Sequence, residues 1–532
     1  MSRRRLAACL GVALAALVAG CTAQPEPTPS ATQPVAANAQ SDVNPMPRGQ
    51  VRDGGLPRFP LAALPTQWNP RHPAAPTDGV LDLFQPLAPA HFSLDAAGRA
   101  AGNPDFVASA QASHQGPTVV TLALNPSAVW GDGQPITADD WVATWRAATG
   151  QVAGVSLAST AGWDRVAAVR AGSSATEVVV TYRGIDPDWA EALAAGPVRA
   201  ASVANGAAFS WDEPNSAYLA GPFVVAHLDP VQGLVTLEPN PRWWGDPPKL
   251  ERLMFRTVQP ESLAASFQHN ELDVWETGVS NARLQQARAA ADTAVRIAPG
   301  TAGRTLRLAT DGILADTALR RAVLLALDRD GVAQEALGHT VRAPLTWSNG
   351  LVLPTQPGYV DQARATGLGY DRSQAAQVLE GTGWTAASGT RTKDGRALTL
   401  TFSSSPDDPL AASELASLTT QLADVGVVLT PTQADADLTA LTVPVSAFPL
   451  AHLPAAALTD PALADPVHRV ATEVDAVRRA DQASQLARLL WQNVTEIPLY
   501  QSPQFVAVRN GVANLGAPGY ATTHWEDVGW SS

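Results

Sequence analysis

Cysteine and lysine are nearly absent from this chain of 532 residues, and each shortage excludes a class of chemistry. The sequence has two cysteines, Cys9 and Cys21, and two lysines, Lys249 and Lys393. Two cysteines exclude a disulfide framework and any zinc site built from several cysteines. Two lysines leave almost no candidate for a catalytic lysine or for a lysine that binds phosphate.

Motifs that carry catalysis are also missing. The chain has no G-x-S-x-G, H-E-x-x-H or G-x4-G-K motif and no paired C-x-x-C, the patterns typical of hydrolases, zinc peptidases, nucleotide-binding loops and zinc or redox sites. Its nine histidines are scattered along the sequence, outside metal-ligand spacing. We therefore predict no catalytic residues, no metal site and no cofactor. A hydrolase assembled from residues distant in sequence is the open alternative.

The charge balance is acidic. Lys and Arg number 36 against 49 Asp and Glu, for a formal net charge of −13, while 45% of residues are apolar. An acidic chain is a poor partner for a phosphate backbone, so we predict no nucleic-acid partner. The apolar fraction is sufficient for two or three domains. Fifteen tryptophans against six tyrosines favour large buried aromatic surfaces or aromatic-lined clefts.

The N-terminus has the pattern of a signal sequence. Arg3–Arg5 precede an uncharged apolar run, Leu6–Ala19, of 14 residues, too short for a stable membrane span. The run ends in Leu-Val-Ala-Gly before Cys21, which resembles a bacterial lipobox, whose cysteine receives diacylglycerol. We predict a signal peptide over residues 1–20, lipid attachment at Cys21, and a lipid-anchored protein on the extracytoplasmic face of the cell membrane. An ordinary secretory signal or a short membrane anchor is the alternative.

Residues 21–50 are expected to form a disordered tether. Gln24–Pro47 is rich in Pro, Ala, Thr, Gln and Ser without a periodic apolar pattern, so it cannot bury enough surface to offset its ordering entropy. The globular part is expected to begin near Val51. No later segment offers about 20 uninterrupted apolar residues, so a soluble body is expected.

The body alternates strand-like and helical patterns. Thr118–Leu124 and Glu177–Tyr182 are rich in β-branched residues, as in strands. Thr137 precedes a helix with capping-box spacing to Asp140, and another long helical pattern covers Asp475–Asn493. The sequence therefore predicts an α/β fold.

Four blocks in order resemble one family. They are Trp130–Trp141, Gly221–Phe223 with Asn240–Trp244, Leu319–Arg329, and Tyr370–Trp384. They are similar to the W-x-D-G-x-P-x-T-A-x-D-V, G-P-[YF] … N-P-x-[YW]-W, V-R-x-A-[IL] … A-I-D-R and Y-D-P … A-G-W patterns of the extracytoplasmic solute-binding proteins of peptide/nickel-type ABC importers (family 5). The resemblance as a whole runs in the same order along the chain, from about residue 116 to 508. Read without the family, these blocks are turns and aromatic core residues.

This resemblance implies a two-lobed periplasmic-binding-protein type II fold, in its large three-domain variant, with a two-strand hinge. The strands would cross near Thr305–Ala309 and Pro498–Gln501. The implied domains are listed here: lobe I core, residues 51–84, 215–302 and 494–532; lobe I extra subdomain, 85–214; lobe II, 303–493.

The resemblance also implies a function: capture of a peptide-like or other small oligomeric solute between the lobes, by a monomer that partners with an ABC permease. Leu441–Pro449 has no acid or tryptophan where peptide-binding relatives hold the ligand's α-amine, which counts against a peptide, because a buried ammonium needs a counter-charge. The Ala- and Arg-rich composition resembles the actinobacterial LpqW-like branch. That likeness gives the alternative, an envelope lipoprotein that binds glycolipid or regulates phosphatidylinositol mannoside assembly without transport.

Candidate ligand contacts follow from position relative to the family. Packing in the core or on the surface is the competing interpretation for each. The candidates are Trp68, Asn69, Trp347, Asn349, Ser446, Phe448, Tyr500 and Gln501.

Overall fold

The computed structural model describes residues 38–76 and 83–531. These described residues belong to one compact unit. The predicted signal peptide, Cys21 and most of the predicted tether lie outside the described residues, so these predictions stay as they were.

Strands run from the first to the last part of the described chain. They are β1 (Val51–Arg52), β2 (Arg58–Leu61), β3 (Phe92–Leu94), β4 (Ala100–Gly102), β5 (Val107–Ser113), β6 (Val119–Leu124), β7 (Val166–Ala171), β8 (Glu177–Tyr182), β9 (Phe223–Asp229), β10 (Leu234–Pro239), β11 (Leu253–Thr257), β12 (Val274–Glu276), β13 (Thr293–Leu308), β14 (Thr385–Ser388), β15 (Thr390–Lys393), β16 (Arg396–Ala397), β17 (Thr399–Ser403), β18 (Val428–Pro431), β19 (Leu438–Pro444), β20 (Glu496–Arg509), β21 (Val512–Ala513) and β22 (Gly529–Ser531).

Helices interleave with these strands. They are α1 (Ala138–Ala148), α2 (Ala190–Leu193), α3 (Gly206–Phe209), α4 (Leu263–Gln268), α5 (Asn281–Arg288), α6 (Thr317–Ala326), α7 (Arg329–Leu337), α8 (Gln362–Thr366), α9 (Arg372–Gly381), α10 (Ala411–Ala423), α11 (Ala455–Thr459), α12 (Ala464–Thr472) and α13 (Ala476–Asn493). None of the helices in the described ranges is both long enough and apolar enough to cross a membrane.

The strands form separate sheets that define two lobes. Lobe I holds the sheets β2-β11-β10-β9, β1-β22-β21 and β5-β6-β8-β7, and lobe II holds β14-β15-β16 and most of its helices. A six-stranded sheet, β12-β20-β13-β19-β17-β18, runs through both. The predicted two-lobed α/β fold is confirmed.

Two long strands connect the lobes. β13 and β20 pair antiparallel from Thr293↔Arg509 to Arg307↔Glu496. Their register shifts between Pro299 and Gly303, so the ladder is interrupted where β19 joins β13 on the lobe II side. This pair is the predicted two-strand hinge, and it is confirmed.

Separate apolar cores stabilise the parts on either side of this hinge. In lobe I, Phe59 and Phe255 are fully buried and stack with their ring centroids 4.8 Å apart. A second lobe I core lies under the β5–β8 sheet around Trp130 and Trp141. The lobe II core gathers residues of α6, α10 and the β17–β19 strands, with Leu306 of β13. Burying each such side chain contributes roughly 1.5–3 kcal/mol.

The helix predicted after Thr137 has the expected cap. The Thr137 side chain and the Asp140 carboxylate form a reciprocal capping box, with the Thr137 N–H donating to Asp140 at 3.0 Å. Asp140 is buried and also accepts a hydrogen bond from the Trp130 indole N–H at 3.0 Å. The motif residues therefore join α1 to the subdomain core.

The structure corrects the predicted extent of the N-terminal tether. The tether was expected to extend to residue 50, but the chain packs against lobe I from Asp42 onwards. Asp42 and Ala517 exchange two backbone hydrogen bonds of 2.9 Å, and Arg48 pairs with Asp527 at 2.6 Å. These contacts use backbone and charged groups, which leave no periodic apolar pattern in the sequence.

Candidate solute-binding site

A cavity of about 660 Å³ lies beside the hinge. Thr301 and Gln504 of the crossing strands line it, and the loops at residues 84–90 and 518–523 of lobe I complete its walls. Its volume lies within the roughly 300–1,000 Å³ of small-molecule sites. It is a pocket where a ligand would touch the hinge directly.

Arg71 brings a positive charge to this cavity. The partly buried guanidinium lines the wall and donates to two backbone oxygens, those of Ala195 and of Gly196, the latter at 3.0 Å. Among the described residues it forms no ion pair with a carboxylate. Burial lowers its pKa to about 10, the direction expected of a cation without a counter-charge.

Glu276 and Tyr520 line the same cavity. Glu276 is the last residue of β12, so this strand ends at the cavity wall. The Tyr520 hydroxyl donates to the Val445 carbonyl of the opposite lobe at 2.6 Å. Burial raises the pKa of Tyr520, so it remains a protonated donor across the lobe boundary.

A second cavity, of about 350 Å³, lies between the lobes. Lobe I contributes the β3–β4 turn and residues 187–190, and lobe II contributes residues 356–358, 447–450 and part of α13. The rings of Trp189 and Phe448 line it beside Arg479. Its wall is therefore aromatic and apolar with a charged edge.

Ion pairs close the edge of this second cavity. The Arg479 guanidinium of lobe II contacts the Asp188 carboxylate of lobe I through two hydrogen bonds, one of 2.7 Å. Both side chains are mostly buried, with 13% and 12% exposure. Nearby, His452 of lobe II contacts Glu191 of lobe I. The two lobes are thus held together by their own side chains.

Arg165 supports the lobe I half of these pairs. Its guanidinium contacts Asp186 at 2.6 Å and Glu191 at 3.0 Å. Burial works against its charge, but the hydrogen bonds and charges of both carboxylates outweigh that effect and raise its pKa. The guanidinium remains charged and fixes Glu191 towards lobe II.

The first two predicted contacts lie in the lobe I core rather than in the large cavity. Trp68 is 2% exposed and packs edge-to-face on Phe84. Asn69 is buried, and its side-chain amide donates to Phe209 at 2.8 Å. It lines a small cavity of about 30 Å³. Both side chains hold the loop that presents Arg71.

Trp347 and Asn349 are also buried. The Trp347 ring lies against Gly303 of the hinge and donates its indole N–H to Val352 at 2.9 Å. The Asn349 side chain donates to Val360 at 3.0 Å and accepts from two backbone N–H groups. Neither residue lines the 660 Å³ or the 350 Å³ cavity.

Ser446 and Phe448 sit at the lobe boundary. The Ser446 hydroxyl accepts a hydrogen bond from the Phe448 N–H at 3.0 Å, which shapes the turn after β19. Phe448 lines the 350 Å³ cavity and packs against the subdomain core of lobe I. Of the eight predicted contacts, it is the one that lines this interlobe cavity.

Tyr500 and Gln501 belong to the hinge strand β20. Tyr500 is fully buried and its hydroxyl donates to Glu414; burial and the Glu414 charge raise its pKa. Gln501 donates to Gly300 at 2.6 Å and to Thr355 at 2.9 Å. Neither lines the 660 Å³ cavity, and their contacts stiffen the hinge.

Residues that the sequence did not single out therefore line the cavity beside the hinge. Arg71 follows the predicted Asn69 by two positions, so its loop was selected but the charged residue was missed. Glu276 had no signal, because a single acid after a short apolar strand is common. In the described residues, no group of three or more His, Cys, Asp or Glu side chains is placed to hold a metal ion.

Comparison with known families identifies the chain. Residues 103–450 match the model of the middle region of bacterial extracellular solute-binding proteins, family 5. The chain belongs to this family.

Curated relatives in this family are mycobacterial. The chain is 30% identical over 554 residues to the oligopeptide-binding protein OppA of Mycobacterium tuberculosis H37Rv, covering 97% of this chain and 92% of OppA. It is 27% identical over 463 residues to LpqW of the same organism, covering 80% of this chain and 71% of LpqW. LpqW carries the name "probable monoacyl phosphatidylinositol tetramannoside-binding protein". Both are named as binding proteins.

Solved structures share the architecture. The periplasmic EDTA-binding protein EppA superposes with a TM-score of 0.78 at 22% identity, covering 93% of this chain and 99% of EppA. The oligopeptide-binding protein AppA of Bacillus subtilis, solved with a nonapeptide, superposes with a TM-score of 0.64 at 15% identity, covering 91% and 100%. At these identities the likeness shows the two-lobed fold.

Proposed function

We propose that this family member is a lipid-anchored receptor for an ABC importer. In this proposal Cys21 carries the anchor at the extracytoplasmic face of the membrane, and a monomer captures a small solute between the lobes and hands it to the permease. It does so without a cofactor and without covalent chemistry. The lobe boundaries derived from the sequence are part of the same proposal, and so is ligand contact by Phe448, which lines the 350 Å³ cavity between the lobes.

One observation supports this function above the others: a cavity of about 350 Å³ is lined by residues of both lobes. A ligand held there contacts both lobes at once, so binding and closure are coupled. The OppA relative supports a peptide-like or similar oligomeric ligand.

Leu441–Pro449 differs from the stretch that holds the ligand's α-amine in peptide-binding relatives, and this difference bears on the identity of the ligand. The first four residues of this stretch are the end of β19, paired with β13 from Ala302 to Thr305, and the stretch offers no acid for a ligand amine. Among the described residues that line the 660 Å³ cavity, the acid is Glu276. A peptide in this protein would therefore be oriented differently from one whose amine is held at that stretch.

Isothermal titration of the purified full chain against a panel of short peptides and a panel of mannosylated phosphatidylinositol lipids tests the proposal. We expect micromolar or tighter binding within the peptide panel, and native mass spectrometry should detect a small solute that co-purifies. Absence of binding in both panels, with no co-purified solute, would refute a receptor function.

The relationship to LpqW supports a second candidate. In that case the protein binds a glycolipid or regulates its assembly in the envelope without transport. The same titrations separate the two, because binding confined to the glycolipid panel favours the LpqW-like function. Co-purification with a membrane mannosyltransferase rather than with a permease would favour it as well.

A further inference from the structure

Tyr520 extends from a loop of lobe I towards lobe II. The loop is fastened to lobe I on both sides of the residue. The Gly519 N–H donates to the Gln504 side-chain oxygen at 3.0 Å. Thr522 exchanges two hydrogen bonds with the Leu94 backbone of β3, one of 2.8 Å and one of 3.0 Å. The backbone that carries Tyr520 therefore moves with lobe I.

An apolar cluster of lobe II receives the Tyr520 ring, which is 8% exposed. The other members of this cluster are aromatic or aliphatic side chains of lobe II: Trp347, Leu353, Tyr359, Val443, Val445 and Ala447. At its far end the Tyr520 hydroxyl donates to the Val445 carbonyl at 2.6 Å. The Val445 N–H in turn donates to Thr301 of the hinge strand β13 at 2.8 Å. We call this cluster, without Tyr520, the lobe II pocket.

The lobe II pocket has apolar walls and a backbone acceptor, which together suit a phenol. Apolar walls disfavour a charged group, and the Val445 carbonyl needs a donor, since a buried acceptor left unpaired costs free energy. An uncharged ring with a hydroxyl satisfies both conditions. We propose that Tyr520 is an intramolecular ligand of the lobe II pocket, that it holds the lobes closed in the absence of solute, and that an entering solute displaces it.

Displacement follows from where the two partners are attached. Tyr520 also lines the 660 Å³ cavity beside the hinge, so the lobe II pocket borders space that a solute can enter. Separation of the lobes withdraws the ring with lobe I and leaves the pocket empty for an uncharged aromatic group. Closure by Tyr520 weakens the apparent affinity for a solute in proportion to the closed population. This consequence rests on the proposed solute-binding function, whereas occupation of the pocket by Tyr520 does not.

The free side-chain analogue p-cresol tests the pocket. Tyr520→Ala removes the ring and leaves the pocket, so this variant should bind p-cresol with millimolar affinity or better in isothermal titration of the purified full chain. The wild type should not bind it, because its pocket is filled. The methyl ether of p-cresol, which has no hydroxyl donor, should bind the variant about tenfold more weakly or worse. Equal behaviour of variant and wild type towards p-cresol, including no binding to either, would overturn the proposal.

Small-angle X-ray scattering tests the effect on closure. The radius of gyration of solute-free Tyr520→Ala should exceed that of the wild type, and Tyr520→Phe, which loses the hydrogen bond but keeps the ring, should show a smaller increase. Tyr370→Ala is the matched control, since its ring is 47% exposed, and it should scatter like the wild type. Thermal melts check that each variant folds, and Tyr520→Phe decides alone if Tyr520→Ala does not. Unchanged scattering would show that Tyr520 does not hold the lobes.

The outcomes separate this inference from the proposed function. For any solute of the peptide or glycolipid panels that binds, Tyr520→Ala should raise the affinity about tenfold, and an unchanged or lower affinity would overturn displacement. If no panel member binds while p-cresol and scattering behave as expected, the receptor function fails and the intramolecular ligand stands. If solutes bind but Tyr520→Ala changes neither p-cresol binding nor scattering, the inference fails and the receptor function stands.

Discussion

At the residue scale, lobe II contains a buried charge cluster at the hinge. Arg304 of β13 contacts Glu414 of α10 at 2.5 Å and Asp408 at 2.5 Å, and the Tyr500 hydroxyl donates to Glu414. Arg304 is 2% exposed and Glu414 is fully buried. Because these charges are out of water, each depends on its partner.

Replacing Glu414 should therefore be costly. We expect Glu414→Ala to lower the free energy of unfolding by about 3–5 kcal/mol, since it leaves the Arg304 charge buried with less compensation. Tyr500→Phe, which removes a single hydrogen bond to a charged group, should cost about 1.5–3 kcal/mol. Urea denaturation measures both, with Tyr370→Phe, at a ring that is 47% exposed, as the control. A loss below 1 kcal/mol for Glu414→Ala would contradict the role given to the cluster.

His91 gives a prediction about pH. It is 4% exposed and stacks on Phe106 with ring centroids 4.1 Å apart, and burial with the nearby Arg71 charge lowers its pKa well below 6.5. The folded state thus keeps His91 neutral while the unfolded chain takes up a proton below pH 6.5. Stability from this group is complete above that pH and is lost as the pH falls.

At pH 5 the expected loss from His91 is about 2 kcal/mol relative to pH 7.5. The measurement is the change in unfolding free energy between these pH values for wild type minus that for His91→Leu. The exposed His227, changed to leucine, is the control and should show no such difference. An identical pH dependence for wild type and His91→Leu would show that His91 titrates normally.

At the element scale, the hinge strand β13 packs against Trp347. A Cβ atom on Gly303 would lie 2.2 Å from the Trp347 ring, far inside contact distance. Gly303 is therefore required by close approach of the ring to the strand. This approach links the hinge to the loop after α7.

Gly303→Ala should destabilise the protein by about 1–3 kcal/mol through overpacking. The double variant Gly303→Ala with Trp347→Leu should lose less than the sum of the two single variants, since the smaller side chain makes room for the methyl group. Gly184→Ala, where nothing lies within 4 Å, is the control. Additive losses in thermal unfolding would show that the ring does not cause the conflict.

Sequence patterns predicted many elements, but they predicted only the last part of the hinge strand β13. Thr305–Ala309 was expected as a crossing strand, whereas β13 begins at Thr293. Its middle contains Pro299, Gly300 and Gly303, residues that normally interrupt strands, and the strand extends to Thr293 because β20 pairs with it. Local propensity carries no information about such a distant partner.

Helix boundaries, like strand boundaries, could be predicted only in part from the local sequence. The block Leu319–Arg329 spans two helices, because α6 ends at Ala326 and Asp328 caps a new helix, α7. Asp316 caps α6 by accepting a hydrogen bond from the Ala318 N–H at 2.8 Å. Side-chain caps are local and could be predicted. Cavity residues such as Arg71 could not, since a single arginine in a loop is usually solvated.

At the scale of the whole molecule, the closed arrangement of the lobes depends on contacts across the cleft. We expect Arg479→Met to remove about 2 kcal/mol from the stability of the closed state. The radius of gyration from small-angle X-ray scattering of the ligand-free chain should then increase. Asp188→Asn should have the same effect.

The neighbouring Arg478 provides the control. It is 65% exposed and pairs with Glu473 within lobe II, so Arg478→Met removes the same charge without touching lobe I. Its scattering should match the wild type. If Arg479→Met also matches the wild type, the pair across the cleft does not hold the lobes together.

The packing of residues 42–48 has a mechanical consequence. Asp42 is fastened to Ala517 and to the backbone N–H of Ile297 at 2.9 Å, on the lobe I side of the register shift in β13. A force applied through the residues before Asp42 is therefore transmitted to lobe I and does not act across the hinge. Lobe II can then move about the hinge while the N-terminus is held in place.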